Sequence, residues 1–176
     1  AIDLKRDADS RITAAPAEQA IFRDVLARTL GISVLVTLLC LVAGYPVAAL
    51  LASLPARQAA VLLAFVLLPF WTSLLVRTAA WVVLLQREGV VNSALLGLGL
   101  IEAPMQMIFT RFAVVLAMAH ILLPFMILPL YAVMRAMPPG LARAAASLGA
   151  PPWRTFLRVT WPLSLPGVAA GSLMVF

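Results

Sequence analysis

The sequence predicts an all-α fold, a polytopic transmembrane helical bundle, on three observations. Apolar residues make up 64% of the 176 residues and charged residues 11%, with a mean hydropathy of +1.05. A soluble domain is about half apolar and a quarter charged. Long stretches carry no charge at all, and a basic segment at 141–166 with helix and turn signals lies between two of them.

The uncharged stretches set the expected spans, because about 20 apolar residues cross a bilayer as a helix. The stretches are 29–56, 58–76, 112–134 and everything after Arg158. We expect spans at about 30–54, 59–85, 112–134 and 163–176, the last too short to cross. With no initiator Met and no signal peptide at the start, the chain is expected to be a fragment.

Residues 1–28 carry balanced charges and predict a solvated polar segment, with a short amphipathic helix near 17–28. Prolines divide the spans that follow. We expect kinks at Pro46, Pro124 and Pro129 and an interruption at Pro69, because proline removes a helix hydrogen bond. Carbonyls freed in this way typically face a cavity. The single cysteine, Cys40, lies in a span, which excludes disulfides within the chain and thiolate metal sites.

The segment 135–160 predicts two short helices joined by a turn. Apolar residues recur at helical spacing from Leu141 to Leu148, and Gly149 follows at the position of a C-terminal cap. Pro151 and Pro152 are expected to start the second helix, which places Trp153 and Phe156 on one face and Arg154 on another.

Charge predicts which end of the bundle faces the cytoplasm. The turn at Arg57 and the segment 135–158 hold five arginines and no acid, whereas 86–111 holds two basic and two acidic residues. Short loops alternate sides, so the first two lie on one face, and the positive-inside rule makes that face cytoplasmic.

The coupling motif Ala144-Ala145, Gly149 and Pro162 resembles that of ABC-importer permeases. Three further motifs resemble the polyamine (spermidine/putrescine) branch of these permeases. They are Pro69-Phe70-Trp71-Thr72-Ser73 with Arg77, the run from Leu123-Pro124-Phe125 to Pro129-Leu130-Tyr131, and Pro162-Leu163-Ser164-Leu165-Pro166-Gly167. The resemblance covers about residues 30–176. It implies a type I importer permease core, with a permease transmembrane domain at 29–176, a cytoplasmic coupling loop at 135–160 and a periplasmic polar segment at 1–28.

The resemblance also implies partners and site residues. Partners would be a cytoplasmic ATPase dimer that binds ATP and Mg, a second permease subunit, a periplasmic binding protein and the lipid of a bacterial inner membrane; no cofactor in this chain and no nucleic acid are expected. Residues implied in ATPase coupling are Arg143, Ala144, Ala145, Gly149, Ala150, Trp153, Phe156 and Pro162. Candidates for the translocation path are Trp71, Arg77, Phe125 and Tyr131.

Three positions depart from the family pattern. Arg143 and Ser147 stand where the coupling motif usually has acids, and Trp161 stands where a leucine usually precedes the closing proline. The reversed charge at Arg143 puts the usual ion pair with the ATPase in doubt.

Single residues leave alternatives open. Arg77, a charge within a span, is either a residue of substrate passage or one that snorkels or pairs with a neighbouring subunit. His120, the only histidine, is expected to pack or to make an interhelical hydrogen bond, because a metal site or catalytic relay would need partners and no acid follows Glu102.

The shortage of acids constrains mechanism. No carboxylate lies between Arg28 and Glu88, so a cation would pass by aromatic faces, by freed carbonyls, or by acids of a partner subunit. The same shortage leaves an opine, an amino acid or another small anion or zwitterion as alternative substrates. An intramembrane hydrolase is a distant alternative, because Ser172 lacks a nucleophile-elbow context and no acid is available to orient His120.

Overall fold

A computed structural model describes residues 4–6, 12–14, 21–138 and 140–176. The chain divides into two units, Ala1–Leu35 and Val36–Phe176. In chain order the elements are β1 (Leu4–Arg6), β2 (Ile12–Ala14), α1 (Ile21–Ser53), α2 (Ala56–Leu67), a 3-10 turn (Leu68–Trp71), α3 (Leu74–Leu85), α4 (Val90–Gly97), α5 (Arg111–Ala136), α6 (Gly140–Ser147), α7 (Pro152–Thr155), a π-helical turn (Phe156–Thr160) and α8 (Trp161–Val175).

The first unit contains a short antiparallel hairpin in which Leu4 pairs with Ala14 and Arg6 with Ile12. The separate amphipathic helix expected near 17–28 is wrong for the described part of that range, because 21–28 are the first residues of α1. No proline separates these residues from the apolar span, so the helix continues through them. Residues 17–20 lie outside the described residues.

Among the described residues, two helices are long and apolar enough to cross a membrane, one within α1 (Phe22–Ser53) and one equal to α5 (Arg111–Ala136). α1 continues through Pro46, and α5 continues through Pro124 and Pro129. These prolines therefore lie inside unbroken helices, as prolines do in membrane helices when neighbouring groups satisfy the freed carbonyls.

The core of the second unit forms around Met126 of α5, whose side chain is fully buried. A Cβ added at Gly44 of α1 would lie 3.2 Å from Met126 Cγ, and one added at Gly171 of α8 would lie 2.7 Å from its Sδ. Gly167, one turn before Gly171, approaches the α5 backbone at Leu130 equally closely, at 3.2 Å. Small residues at this spacing let membrane helices pack backbone to backbone.

The expected interruption at Pro69 is confirmed as the 3-10 turn at Leu68–Trp71. The sequence did not predict its angle: the helices on either side, Ala56–Trp71 and Leu74–Gly97, are bent by 92°. Proline has no N–H to continue the helix ladder, and Ser73 beyond it is extended, with ψ of 141°.

The bent pair carries the chain along α5 from near its middle towards its start. Phe70 contacts Phe125 with ring centroids 5.0 Å apart, and further along the chain Trp81 contacts His120 at 5.5 Å. Leu85 then shares a pocket with Met107 and Phe112 at the start of α5. We call the pair the broken crossing, because its two helices together have the length and apolar composition of one span. Beyond it, buried Asn92 bonds the backbone N–H and carbonyl of Met105 at 3.1 and 2.9 Å and holds the following loop.

Candidate coupling and translocation elements

Arg135 joins the ends of α5 and α1. Its guanidinium donates hydrogen bonds of 3.0 Å to the carbonyls of Ala52 and Leu54, where α1 ends. The last carbonyls of a helix have no partner within it, and a cation at that end is also favoured by the helix dipole. The turn at Arg57 and the segment after α5 therefore lie at the same end of the bundle, as the alternation of loops predicts.

The first short helix ends in the cap that the sequence predicts. Gly149 has φ of +78°. Its N–H bonds the carbonyl of Ala146 at 2.9 Å, and the N–H of Ala150 bonds the carbonyl of Ala145 at 3.0 Å. This pair of bonds is the Schellman motif, which needs a left-handed residue at this position. Glycine adopts that conformation without a steric penalty.

The second short helix starts at Pro152, as predicted, but does not end before the last apolar stretch. The backbone is helical from Pro152 through the π turn to Val175, so the expected coupling loop and the expected last span are joined without a break in the helix. Pro162 would clash with the carbonyl of Arg158 in a regular helix. The wider π turn contains Arg158 and ends at Thr160, two residues before this proline.

The helix-turn-helix presents an apolar and basic outer surface. Arg143 and Ala144 are exposed, Ala145 and Ala150 are half-buried, and Pro162 is exposed. Trp153 is 60% exposed, and the Arg154 guanidinium carbon lies 5.3 Å from its ring centroid. Phe156 is different, because its ring contacts Tyr45 of α1. The predicted coupling residues thus divide between an outer surface and an inner contact.

The break after α2 gathers three of the four candidates for the translocation path. Phe125 packs edge to face on Phe70, and the adjacent Trp71 is 88% exposed. Arg77 donates to the carbonyls of Pro69 and Thr72 within the same break. The fourth candidate, Tyr131, is half-buried six residues beyond Phe125, about 9 Å further along α5.

The Arg77 guanidinium bonds the backbone of its own broken helix, a contact that neither sequence-based alternative named. A third bond, of 3.3 Å, reaches the Thr72 hydroxyl. Its Nε is buried without a hydrogen-bond partner. Arg77 therefore caps the C-terminal end of the 3-10 turn. It reaches these carbonyls because the helix is bent there.

His120 makes the interhelical hydrogen bond expected of it, accepting from the Trp81 indole N–H at its Nδ1 at 3.3 Å. Within the described residues, no group of three or more His, Cys, Asp or Glu is arranged to hold a metal ion. Sequence reasoning missed Phe70 and Tyr45 as site residues. Phe70 lies inside the Pro69 motif, and Tyr45 lies between Gly44 and Pro46. The neighbouring residues of each could therefore have indicated it as a site residue.

This arrangement of apolar helices, a broken crossing and a capped helix-turn-helix is that of a transporter subunit. The chain belongs to the binding-protein-dependent transport system inner membrane component family, whose model matches residues 42–176.

The chain is also similar to individual permeases. It is 41% identical over 155 residues to the spermidine/putrescine transport system permease protein PotB of Escherichia coli K12, covering 88% of this chain and 56% of the relative. The PotB of Haemophilus influenzae is 37% identical over 155 residues, with coverage of 88% and 54%. The inner membrane ABC transporter permease protein YdcU of Escherichia coli K12 is 36% identical over 167 residues, with coverage of 87% and 53%. The chain thus spans a little over half the length of these relatives.

These comparisons confirm the resemblance to importer permeases and to their polyamine branch. The chain is a multi-pass component of the inner membrane, and its family consists of transport components rather than enzymes. The intramembrane hydrolase considered from the sequence is therefore not retained.

Proposed function

We propose that this chain is the core of one permease subunit of an ATP-driven importer that passes a polyamine from a periplasmic binding protein to the cytoplasm. The Schellman-capped helix-turn-helix at 140–160 carries the proposal, because it is a rigid, basic and apolar surface at one end of the bundle. Identity to two PotB proteins supports the substrate class.

In this proposal the outer surface around Arg143, Ala144 and Trp153 docks on a cytoplasmic ATPase dimer. That dimer binds ATP and Mg, and this chain holds no cofactor of its own. A second permease subunit, identical or a paralogue, completes the path through the membrane. Closure of the ATPase pair on ATP would shift the helix-turn-helix as one body, because its internal turn is fixed by two backbone hydrogen bonds.

The broken crossing contains groups that can bind a cation weakly. Phe70, Trp71 and Phe125 offer aromatic faces, to which an ammonium group is attracted. The carbonyls of Pro69 and Thr72 are already bonded to Arg77. Tight binding of a polyamine is therefore assigned to the periplasmic binding protein, and the permease provides a path of low affinity.

The proposal is tested with the full-length permease, its ATPase and its binding protein reconstituted in proteoliposomes. We expect ATP-dependent uptake of labelled spermidine or putrescine, and none without the binding protein. An opine or amino acid taken up in place of polyamines would retain the importer and overturn the substrate. Absence of ATP-dependent uptake of every class would overturn the function itself.

Topology gives an independent prediction. Ser93 and Ser147 are both exposed, and they lie in segments that the charge distribution assigns to opposite sides. In a Cys40→Ser background, a membrane-impermeant maleimide should label Ser93→Cys in spheroplasts. It should label Ser147→Cys only after permeabilisation. Labelling at position 147 from outside would reverse the orientation.

A further inference from the structure

Three aromatic rings connect the second short helix to the first membrane span. The Tyr45 ring of α1 lies 5.8 Å from that of Phe156 in an edge-to-face contact, and 5.4 Å from that of Trp161. The Phe156 and Trp161 rings are 6.4 Å apart. Offset and edge-to-face pairs at these separations attract one another beyond their apolar burial. These three residues are called the aromatic link below.

A buried hydrogen-bond chain fixes the orientation of Tyr45 in the link. The hydroxyl of Ser164, which is fully buried, donates to the carbonyl of Trp161 at 2.7 Å. A serine hydroxyl has one proton to donate, so the Tyr45 hydroxyl, 3.0 Å away, is the donor to Ser164 Oγ. The ring of Tyr45 is thus held by its edge-to-face contact with Phe156, by its tilted contact with Trp161 and by its hydroxyl.

Each end of the link stands at an irregular point of its helix. Phe156 opens the π turn, and Trp161 follows it directly. Turns of this kind within helices are frequent at functional sites. Tyr45 precedes Pro46, which lacks the N–H that would bond the carbonyl of Val42. Both helices can therefore change direction at the link at the loss of few backbone hydrogen bonds.

The first short helix is separated from α1 by a cavity. Leu141 of α6 lines one side of this space of about 470 Å³, and Ala49 and Ala52 of α1 line the other. A shift of α6 would thus enter empty space before it displaced α1. The aromatic link, in contrast, brings the segment 152–161 into direct contact with the first span.

We infer that the aromatic link transmits the movement of the docked helix-turn-helix to the Pro46 region of α1, with Tyr45 as a positioning residue. This inference rests on the proposed function. When the second short helix shifts, Phe156 and Trp161 displace the Tyr45 ring, and α1 bends where its hydrogen-bond ladder is already interrupted. Trp161, in place of the leucine usual at this position, supplies one of the three rings.

The test measures substrate taken up per ATP hydrolysed in the reconstituted full transporter. Tyr45→Leu and Phe156→Leu should each lower that ratio roughly five-fold or more, the low end of coupling between sites in other proteins. Co-purification of the ATPase should be unchanged. The double variant should lose no more than either single variant, because both interrupt the same connection. Tyr45→Phe retains the ring and should keep most of the ratio.

Phe112→Leu is the matched control, since Phe112 is an exposed aromatic residue in the first turn of α5. It should leave the ratio unchanged. If Tyr45→Leu does not accumulate in the membrane, Phe156→Leu, which removes the same edge-to-face contact, carries the test. A ratio in the link variants equal to that of Phe112→Leu overturns the inference. Failure of the unmutated transporter to import anything overturns the proposed function instead, so the two failures are distinct.

Discussion

Replacement of Gly149 by aspartate should leave the permease in the membrane but abolish most uptake while ATP hydrolysis continues. Gly149 has φ of +78° and anchors the Schellman turn between the two short helices. An L-residue there costs about 1 kcal/mol or more in local strain. A Cβ at this position meets nothing within 4 Å, so the chain can relieve the strain by rotating the second helix out of register with its docking surface.

Gly99 offers a matched control for this substitution. It also has a positive φ, +69°, and open space around its Cβ, but it lies in the segment assigned to the opposite side of the membrane. Gly99→Asp should cause similar backbone strain but should leave the amount of substrate taken up per ATP hydrolysed unchanged. We expect a decrease of tenfold or more for Gly149→Asp, about 1.4 kcal/mol or more of lost coupling. Equal ratios in the two variants would mean that 140–160 is not a coupling element.

The cap at Gly149 was predictable because its signals are local. A periodic apolar face, a glycine directly after it and prolines beyond it specify the helix end within a few residues of sequence. The same holds for α5, which runs from Arg111 to Ala136 where the sequence predicts a span at about 112–134. Runs of apolar residues bounded by charges and prolines define such helices without knowledge of their neighbours.

The contacts that complete the site were not predictable, because each depends on packing between distant segments. Tyr45 and Phe156 are 111 positions apart in the sequence, yet their rings touch. The helix is continuous from Pro152 to Val175 because it contains a π turn. The prolines on either side of that turn predict a break in the helix instead. The break at Pro69 bends the chain by 92°, whereas proline alone fixes only that the ladder is interrupted.

The bend also explains why Arg77 was ambiguous in the sequence. Read as one straight helix, residue 77 lies about 28 Å beyond Gln58, near the outer membrane interface. In the bent structure it lies eight positions after the carbonyl of Pro69 and donates to it. Arg77 shares the Pro69 carbonyl with Thr72, whose N–H and hydroxyl donate to it at 3.3 and 2.8 Å.

Replacement of Arg77 by methionine should destabilise the bend and the whole permease. The substitution removes the hydrogen bonds to the carbonyls of Pro69 and Thr72, and each bond from a charged donor is worth about 1.5–3 kcal/mol. Loss of the buried, unpaired Nε offsets part of this. We expect a net loss of about 2 kcal/mol in the free energy of unfolding. Arg77→Lys should lose less, because an ammonium keeps the charge but not the planar fork of donors.

Two measurements decide the role of Arg77 together. Spin labels at the exposed positions Val61 and Val83, on either side of the break, should give a narrow distance distribution in the parent protein. Arg77→Met should shift it to longer distances, because it removes the hydrogen bonds by which α3 holds the backbone of the 3-10 turn and of Thr72. The temperature of thermal unfolding in detergent should also be lower in Arg77→Met. Arg87→Met, at an exposed arginine beyond α3, is the control and should change neither. If Arg77→Met alters uptake but neither the distance nor the unfolding temperature, Arg77 acts on the substrate and not on the bend.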